Sequence, residues 1–157
     1  MARHSSNGKP KLLCVDDDPA IRDLYKLLFS GYGYDVVVAA DGRQALNLFH
    51  PEKIDAVVSD YEMPGMSGEE LAASIKRRSR KIPVILVSGC QAVVDTIPHM
   101  VDAALPKGAP VAELVDRIKV LLASRKSVSR GFSGFMPLGS VLASVALGAF
   151  LIPKLWK

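Results

Sequence analysis

Cysteine and histidine are scarce in this 157-residue chain. Its two cysteines, Cys14 and Cys90, give no disulfide framework, and its three histidines form no Cys/His cluster that would hold structural zinc. Cys14 falls in an apolar run and Cys90 just after another, so both read as free thiols in a reducing compartment. Aromatic residues are only 6% of the chain, and none is interleaved with the basic run Lys76-Arg77-Arg78-Ser79-Arg80-Lys81. A single-strand nucleic-acid surface would want such stacking platforms. The run reads instead as a solvated helix end, where cations suit the dipole, and no nucleic-acid partner is expected. The formal charge of +4 is modest. Residues 1–10 are short, polar and expected to be disordered; they lack the apolar segment of a signal peptide, which keeps the domain that follows in the cytoplasm.

Nearly half the residues are apolar, and they are patterned. Leu12 to Val15, Val36 to Ala39, Ile54 to Ser59, Ile82 to Val87 and Val101 to Leu105 are short apolar runs that read as strands. Between them lie helical patterns. In the first, Ile21, Leu24, Tyr25 and Leu28 share one face, Asp18 can cap it, Pro19 suits its first position, and Gly31 and Gly33 close it. Gly42 to Phe49 and Gly68 to Arg78 follow, then a weak piece cut short by Pro98. A final amphipathic helix is marked by Val111, Leu114, Val115, Ile118 and Leu122. Strands alternating with helices predict an α/β, doubly wound, five-stranded parallel sheet over residues 11–123. The unbroken apolar runs fit strands buried on both faces.

In such sheets a site forms beyond the carboxyl ends of the strands. The residues there are Asp16, Asp17 and Asp18 after the first strand, Asp60 after the third, Ser88 after the fourth and Lys107 after the fifth. Each alone has an ordinary explanation: a helix cap, a turn acid, a Ser-Gly turn, a solvated lysine. Together they put several carboxylates at one edge, where mutual repulsion raises their pKa unless a cation joins them. A hard divalent ion with oxygen ligands, Mg²⁺ above all, resolves this. A carboxylate so held can attack a phosphoryl group, with a lysine and a serine hydroxyl to receive the phosphoryl oxygens.

The stretches Leu12-Leu13-Cys14-Val15-Asp16-Asp17-Asp18-Pro19, Val57-Val58-Ser59-Asp60-Tyr61-Glu62-Met63-Pro64-Gly65-Met66-Ser67-Gly68, Pro83 to Gly89 and Leu105-Pro106-Lys107 resemble the signature of response-regulator receiver domains. The resemblance runs from about Lys11 to about Leu122. It implies a flavodoxin-like receiver fold with strand order 2-1-3-4-5, and a phosphorylation switch rather than an enzyme. It also implies the roles. Asp60 accepts the phosphoryl group from a histidine kinase or phosphotransfer protein, while Ser88 closes onto that group and Lys107 pairs with it. Mg²⁺ is held by Asp16, Asp17, Asp60 and the backbone carbonyl of Glu62, while Pro64 and Gly68 shape the following loop. The chain departs from the family in three places. Gly108 follows Lys107 where a proline is usual, Ala104 stands where many receivers carry a switching aromatic, and the stretch from Ser88 to Lys107 is short. These departures leave a second reading, a non-phosphorylated pseudo-receiver that binds proteins as an adaptor. Asp16-x-Asp18, Ser88 and Lys107 also resemble the first motifs of haloacid-dehalogenase-type phosphatases. That family needs a later acidic pair, and the only acids beyond Lys107 are Glu113 and Asp116, inside a helix.

After Arg125, Lys126 and Arg130 no charged residue appears until Lys154. Residues 124–134 read as a linker and 135–153 as a membrane-spanning helix, since Phe135 to Ile152 would extend about 27 Å. Lys154, Trp156 and Lys157 suit an interface. Ser140, Ser144 and Gly148 fall four apart, a pattern that favours a weak homodimer. Too few residues follow for an output domain, so the expectation is a receiver anchored to the inner membrane and acting on an unknown downstream protein.

Overall fold

The computed structural model describes residues 8–97 and 101–130, with the side chains of 126–130 excepted. Five parallel strands, β1 (Lys11–Val15), β2 (Asp35–Ala39), β3 (Ala56–Asp60), β4 (Val84–Ser88) and β5 (Ala103–Pro106), form one sheet in the order β2-β1-β3-β4-β5. Helices α1 (Pro19–Gly31), α2 (Gly42–Leu48), α3 (Gly68–Arg78), α4 (Gln91–Thr96) and α5 (Val111–Arg130) alternate with them. The fold class and strand order are those expected from the sequence.

The strands are apolar through their middles because both faces are covered; the polar residues Lys11, Asp35, Ser59, Asp60 and Ser88 stand at or next to their ends. Leu13, Val57 and Leu86 pack with Leu71 and Ile75 of α3 on one face, while Leu12, Cys14, Val58 and Ile85 pack with Phe29 of α1 and Ile118 of α5 on the other. Cys14 is fully enclosed there, and burial pushes its thiol pKa up, so it is chemically quiet. Cys90, the other free thiol, is exposed.

Local signals fix the helix starts. Asp18 caps α1 by accepting from the Ala20 N–H at 2.8 Å, with Pro19 opening the helix. Ser67 and Glu70 form a reciprocal capping box at α3. Gly33, at φ +86°, supplies the left-handed step from α1 into β2. α4 is only six residues long, has no side-chain cap and buries no residue, in keeping with the weak pattern there.

Boundaries of four elements differ most from the sequence reading. β3 and β4 run two residues further on than expected at their starts and end on Asp60 and Ser88 themselves. The ladder continues past them through Tyr61 N–H to Val87 O at 2.9 Å and Lys107 N–H to Ser88 O at 2.8 Å. β5 starts at Ala103, not Val101, because the Asp102 carboxylate turns back to accept from the Val84 N–H at 2.7 Å and to pair with Lys76. α5 continues through Arg130, so the linker expected from 124 is helical that far. Residues 121–130 contain no Gly or Pro, and the Arg125 guanidinium donates to the carbonyl and carboxylate of Asp55 at 3.0 and 3.1 Å. Asp55 also accepts from the Lys11 N–H at 2.8 Å. This clasp ties the far end of α5 to the entrances of β1 and β3.

Arg125→Ala should therefore cost about 1 kcal/mol, allowing for its partial exposure to solvent. Thermal unfolding measures it, and an unchanged midpoint would show that the clasp is energetically silent. Among the described residues no helix is long and apolar enough to cross a membrane. The span expected over 135–153 and the small-residue dimer pattern lie outside the described residues, as do residues 1–7 and Pro98.

Candidate functional site

The carboxyl ends of β1 and β3 lie side by side, with Val15 paired to Ser59, so the residue after β1 and the last residue of β3 meet at one edge. Asp16 and Asp60 are both 1% exposed. Each has one carboxylate oxygen committed to a neighbouring backbone amide. Asp16 Oδ1 accepts from the Asp18 N–H at 2.9 Å, and Asp60 Oδ1 accepts from the Glu62 N–H at 3.2 Å. The second oxygens differ. Asp60 Oδ2 receives the Lys107 ammonium at 2.7 Å, whereas Asp16 Oδ2 is buried without a partner. Asp17 is exposed, and one oxygen from each of Asp16, Asp17 and Asp60 lies within 4.8 Å of the others.

The electrostatics follow. Burial raises the Asp16 pKa, and the charges of Asp60 and Asp17 add to it against the opposing amide bond from Asp18 and the charge of Lys107. Burial alone would lower the Lys107 pKa, but its hydrogen bond and charge interaction with Asp60, with Asp16 and Asp17 behind, hold it above the ordinary lysine value. A buried, orphaned carboxylate oxygen beside two further carboxylates is a poor arrangement for an empty core and a suitable one for a hard cation. The donor set is all oxygen, so it fits Mg²⁺. Glu62 follows Asp60 with its side chain exposed and its N–H committed to the Asp60 carboxylate.

Ser88 ends β4 on the adjoining strand, 2% exposed, and its Oγ accepts from the Cys90 N–H at 3.0 Å. Lys107 follows β5 and spans the sheet edge to reach Asp60. The following Gly108 has open space around it, and no cis peptide occurs among the described residues. Ala104 sits half-buried in β5, with no aromatic to rotate. Glu113 and Asp116 lie in α5, in the helix that precluded a phosphatase-type acidic pair.

Two further residues shape the site: Arg22, which was not evident in the sequence, and Gly68, which the resemblance placed at the loop after Asp60. Arg22 reaches back from α1, its Nη1 donating to the carbonyls of Asp16 and Asp17 at 2.8 and 2.9 Å, which holds the acidic loop in place. An arginine one turn into a helix that follows acids was the only signal. Gly68, at the start of α3, packs its Cα against the end of β3: a Cβ there would lie 2.2 Å from the Asp60 carbonyl oxygen.

Comparison with known proteins agrees with this geometry. Residues 12–119 match the response regulator receiver domain family. The response regulator MprA of Mycolicibacterium vanbaalenii is 33% identical over 115 residues, covering 71% of this chain and 50% of the relative. The chain spans about half the length of the first curated relatives it matches. Among solved structures, the response regulator TrrA of Thermotoga maritima in complex with Mg²⁺-BeF is 32% identical with a TM-score of 0.67, covering 71% of this chain and 98% of that one. The receiver domain of the Francisella response regulator 1452 is 30% identical with a TM-score of 0.67, covering 74% and 98%. The family match covers most of the chain and the sheet order agrees with it, so the chain is a member of the response regulator receiver domain family.

Proposed function

We propose that this receiver is a phosphorylation switch of a two-component relay, with Asp60 as its phosphoryl acceptor. The observation that carries it is the pairing of buried Asp60 with Lys107 beside the unpartnered oxygen of Asp16. In the transfer, an Asp60 oxygen forms a bond to phosphorus as the bond from phosphorus to a donor histidine nitrogen breaks. The imidazole keeps that electron pair and takes up a proton. The donor is a histidine kinase or a phosphotransfer protein. Bound by Asp16, Asp17, Asp60 and the Glu62 carbonyl, Mg²⁺ would neutralise the phosphoryl oxygens. Lys107 keeps its proton and pairs with the acyl phosphate, and Ser88, once released from the Cys90 N–H, donates its hydroxyl to another phosphoryl oxygen. Arg22 keeps the two loop acids from moving as charge builds.

The apolar run 135–152, following basic residues at the end of α5, supports a receiver tethered to a membrane with its acceptor in the cytoplasm. Its downstream partner is then a protein that reads the altered surface.

The deciding experiment is intact mass after incubation with a small-molecule phosphodonor, with and without Mg²⁺. One phosphoryl group should appear in the presence of Mg²⁺ and be absent in Asp60→Asn. No gain under conditions that load ordinary receivers would sink the switch. The unmodified fold would then act as a protein-binding adaptor, the reading that Gly108 and Ala104 favour.

A further inference from the structure

The two edges of the sheet carry opposite charge. Because every strand pair is parallel, all five strand starts lie along one edge, opposite the acidic site. On that starting edge lie Lys9 ahead of β1, Lys53 ahead of β3, Arg77 and Arg78 at the end of α3, and Arg80 and Lys81 in the loop to β4, all exposed. The acids there are mostly neutralised within the protein. Asp35 pairs with Lys11 at 2.9 Å, Asp55 with Arg125 at 3.1 Å, and Asp102 with Lys76. Glu52 is exposed beside His50. Arg77 and Arg78 donate to Ser74 Oγ and the Leu46 carbonyl rather than to carboxylates, so their charge is uncompensated by those bonds. α5 ends on the same edge, bringing Lys126 and Arg130 in its last turns, and the uncharged apolar run 135–152 follows.

We propose that this cationic edge docks on an anionic lipid bilayer, lying against the headgroups where the run 135–152 enters the membrane; the inference rests on the tether reading above. Each basic residue held near an anionic surface is worth about fivefold in occupancy, so the six exposed basic residues together outweigh the exposed acids Glu52 and Asp95. A nucleic acid would also attract this charge, but it gives no role to an apolar run leaving the chain just beyond the last basic turn. The charge asymmetry also sets orientation. α5 has 20 residues and spans about 30 Å from one edge to the other, several Debye lengths at physiological salt. With the cationic edge docked, the acidic rim lies beyond the reach of the headgroup charge and faces water, with Asp60 open to a phosphodonor.

The test reconstitutes the full chain into phosphatidylcholine vesicles, with or without one part in three phosphatidylglycerol, containing a headgroup-quencher lipid. One fluorophore is placed at native Cys90, and another at Glu52→Cys in a Cys90→Ser background; buried Cys14 does not label. In anionic vesicles the probe at 52 should be quenched about fivefold more than the probe at Cys90, and raised salt or the triple change R77E/R80E/K81E should abolish the difference. The triple variant should still take up a phosphoryl group, which shows that it folds. Equal quenching of the two probes, or quenching at 52 that ignores lipid charge or the triple change, would overturn the docking edge and leave the tether standing. A full chain that fails to float with either vesicle would overturn the tether and the edge with it. Duplex DNA binding that the triple change removes while quenching is unaltered would give the surface to nucleic acid.

Discussion

Asp16→Asn should make the metal-free domain more stable and at the same time remove most of its response to Mg²⁺. The substitution keeps the oxygen that accepts from the Asp18 N–H and replaces the orphaned Oδ2 with an amide that can donate toward Asp60. It also removes one of the mutually repelling charges. The pH dependence has a definite sign. Burial, then the neighbouring acids, raise the folded-state pKa of Asp16 above its unfolded value. Below the unfolded value both states are protonated and the residue costs nothing. As pH rises from there to the folded value the unfolded chain ionises first, so the cost grows, and it is fully present above the folded value. The gain from Asp16→Asn should therefore be absent in strong acid and grow as pH rises towards and through the folded value, to about 1–2 kcal/mol, the scale of such single substitutions. Mg²⁺ at a hundred times its dissociation constant should stabilise the natural sequence by about 2.7 kcal/mol and the variant far less. Melting curves in chelator and in Mg²⁺, across pH, read both effects. A variant less stable than the parent in chelator at neutral pH, or one that gains equally from Mg²⁺, would show that Asp16 is a structural acid and no ligand.

The same residue illustrates what was legible beforehand. Asp16, Asp60 and Lys107 were found because apolar runs place strand ends, and in a parallel sheet strand ends share an edge; the structure joins Asp60 to Lys107 across 47 positions of sequence. What escaped notice was whatever depends on a side chain doubling back onto backbone. The Arg22 bonds to two carbonyls, the Asp102 bond that delays β5, and the Asp55–Arg125 clasp that prolongs α5 all link residues with no periodic relation. Strand boundaries slipped for a related reason. Apolar residues such as Ile54 and Ile82 are buried before the ladder starts, so hydrophobicity overstates where pairing begins. The capping box is readable in the sequence as Ser67-x-x-Glu70, immediately ahead of the helical pattern that begins at Gly68.

Gly68 connects fold to function most tightly, and Gly68→Ala should damage both. Its N–H donates to the Tyr61 carbonyl at 2.9 Å, so the start of α3 is pressed onto the end of β3. An added Cβ would sit 2.2 Å from the Asp60 carbonyl oxygen, 2.9 Å from Tyr61 Cα and 3.0 Å from the Leu86 side chain. Leu86 can give way, but the other two atoms are backbone, and relief requires α3 to move off the sheet or β3 to bend. Overpacking against backbone in a dense interior costs about 3 kcal/mol, which for a domain of this size lowers the melting midpoint by about 10–15 °C. Bending β3 displaces Asp60 from Lys107, so Mg²⁺-dependent phosphorylation should slow even at temperatures where the variant remains folded. Gly65→Ala makes the informative control: it also stands beside the loop, at φ +81°, but with open space around its Cβ position. Its cost is backbone strain of about 1 kcal/mol, without a clash at the acceptor strand. If the two variants melt together and phosphorylate alike, the approach of α3 to Asp60 is looser than the structure shows, and the acceptor owes its position to Lys107 and the Glu62 amide alone.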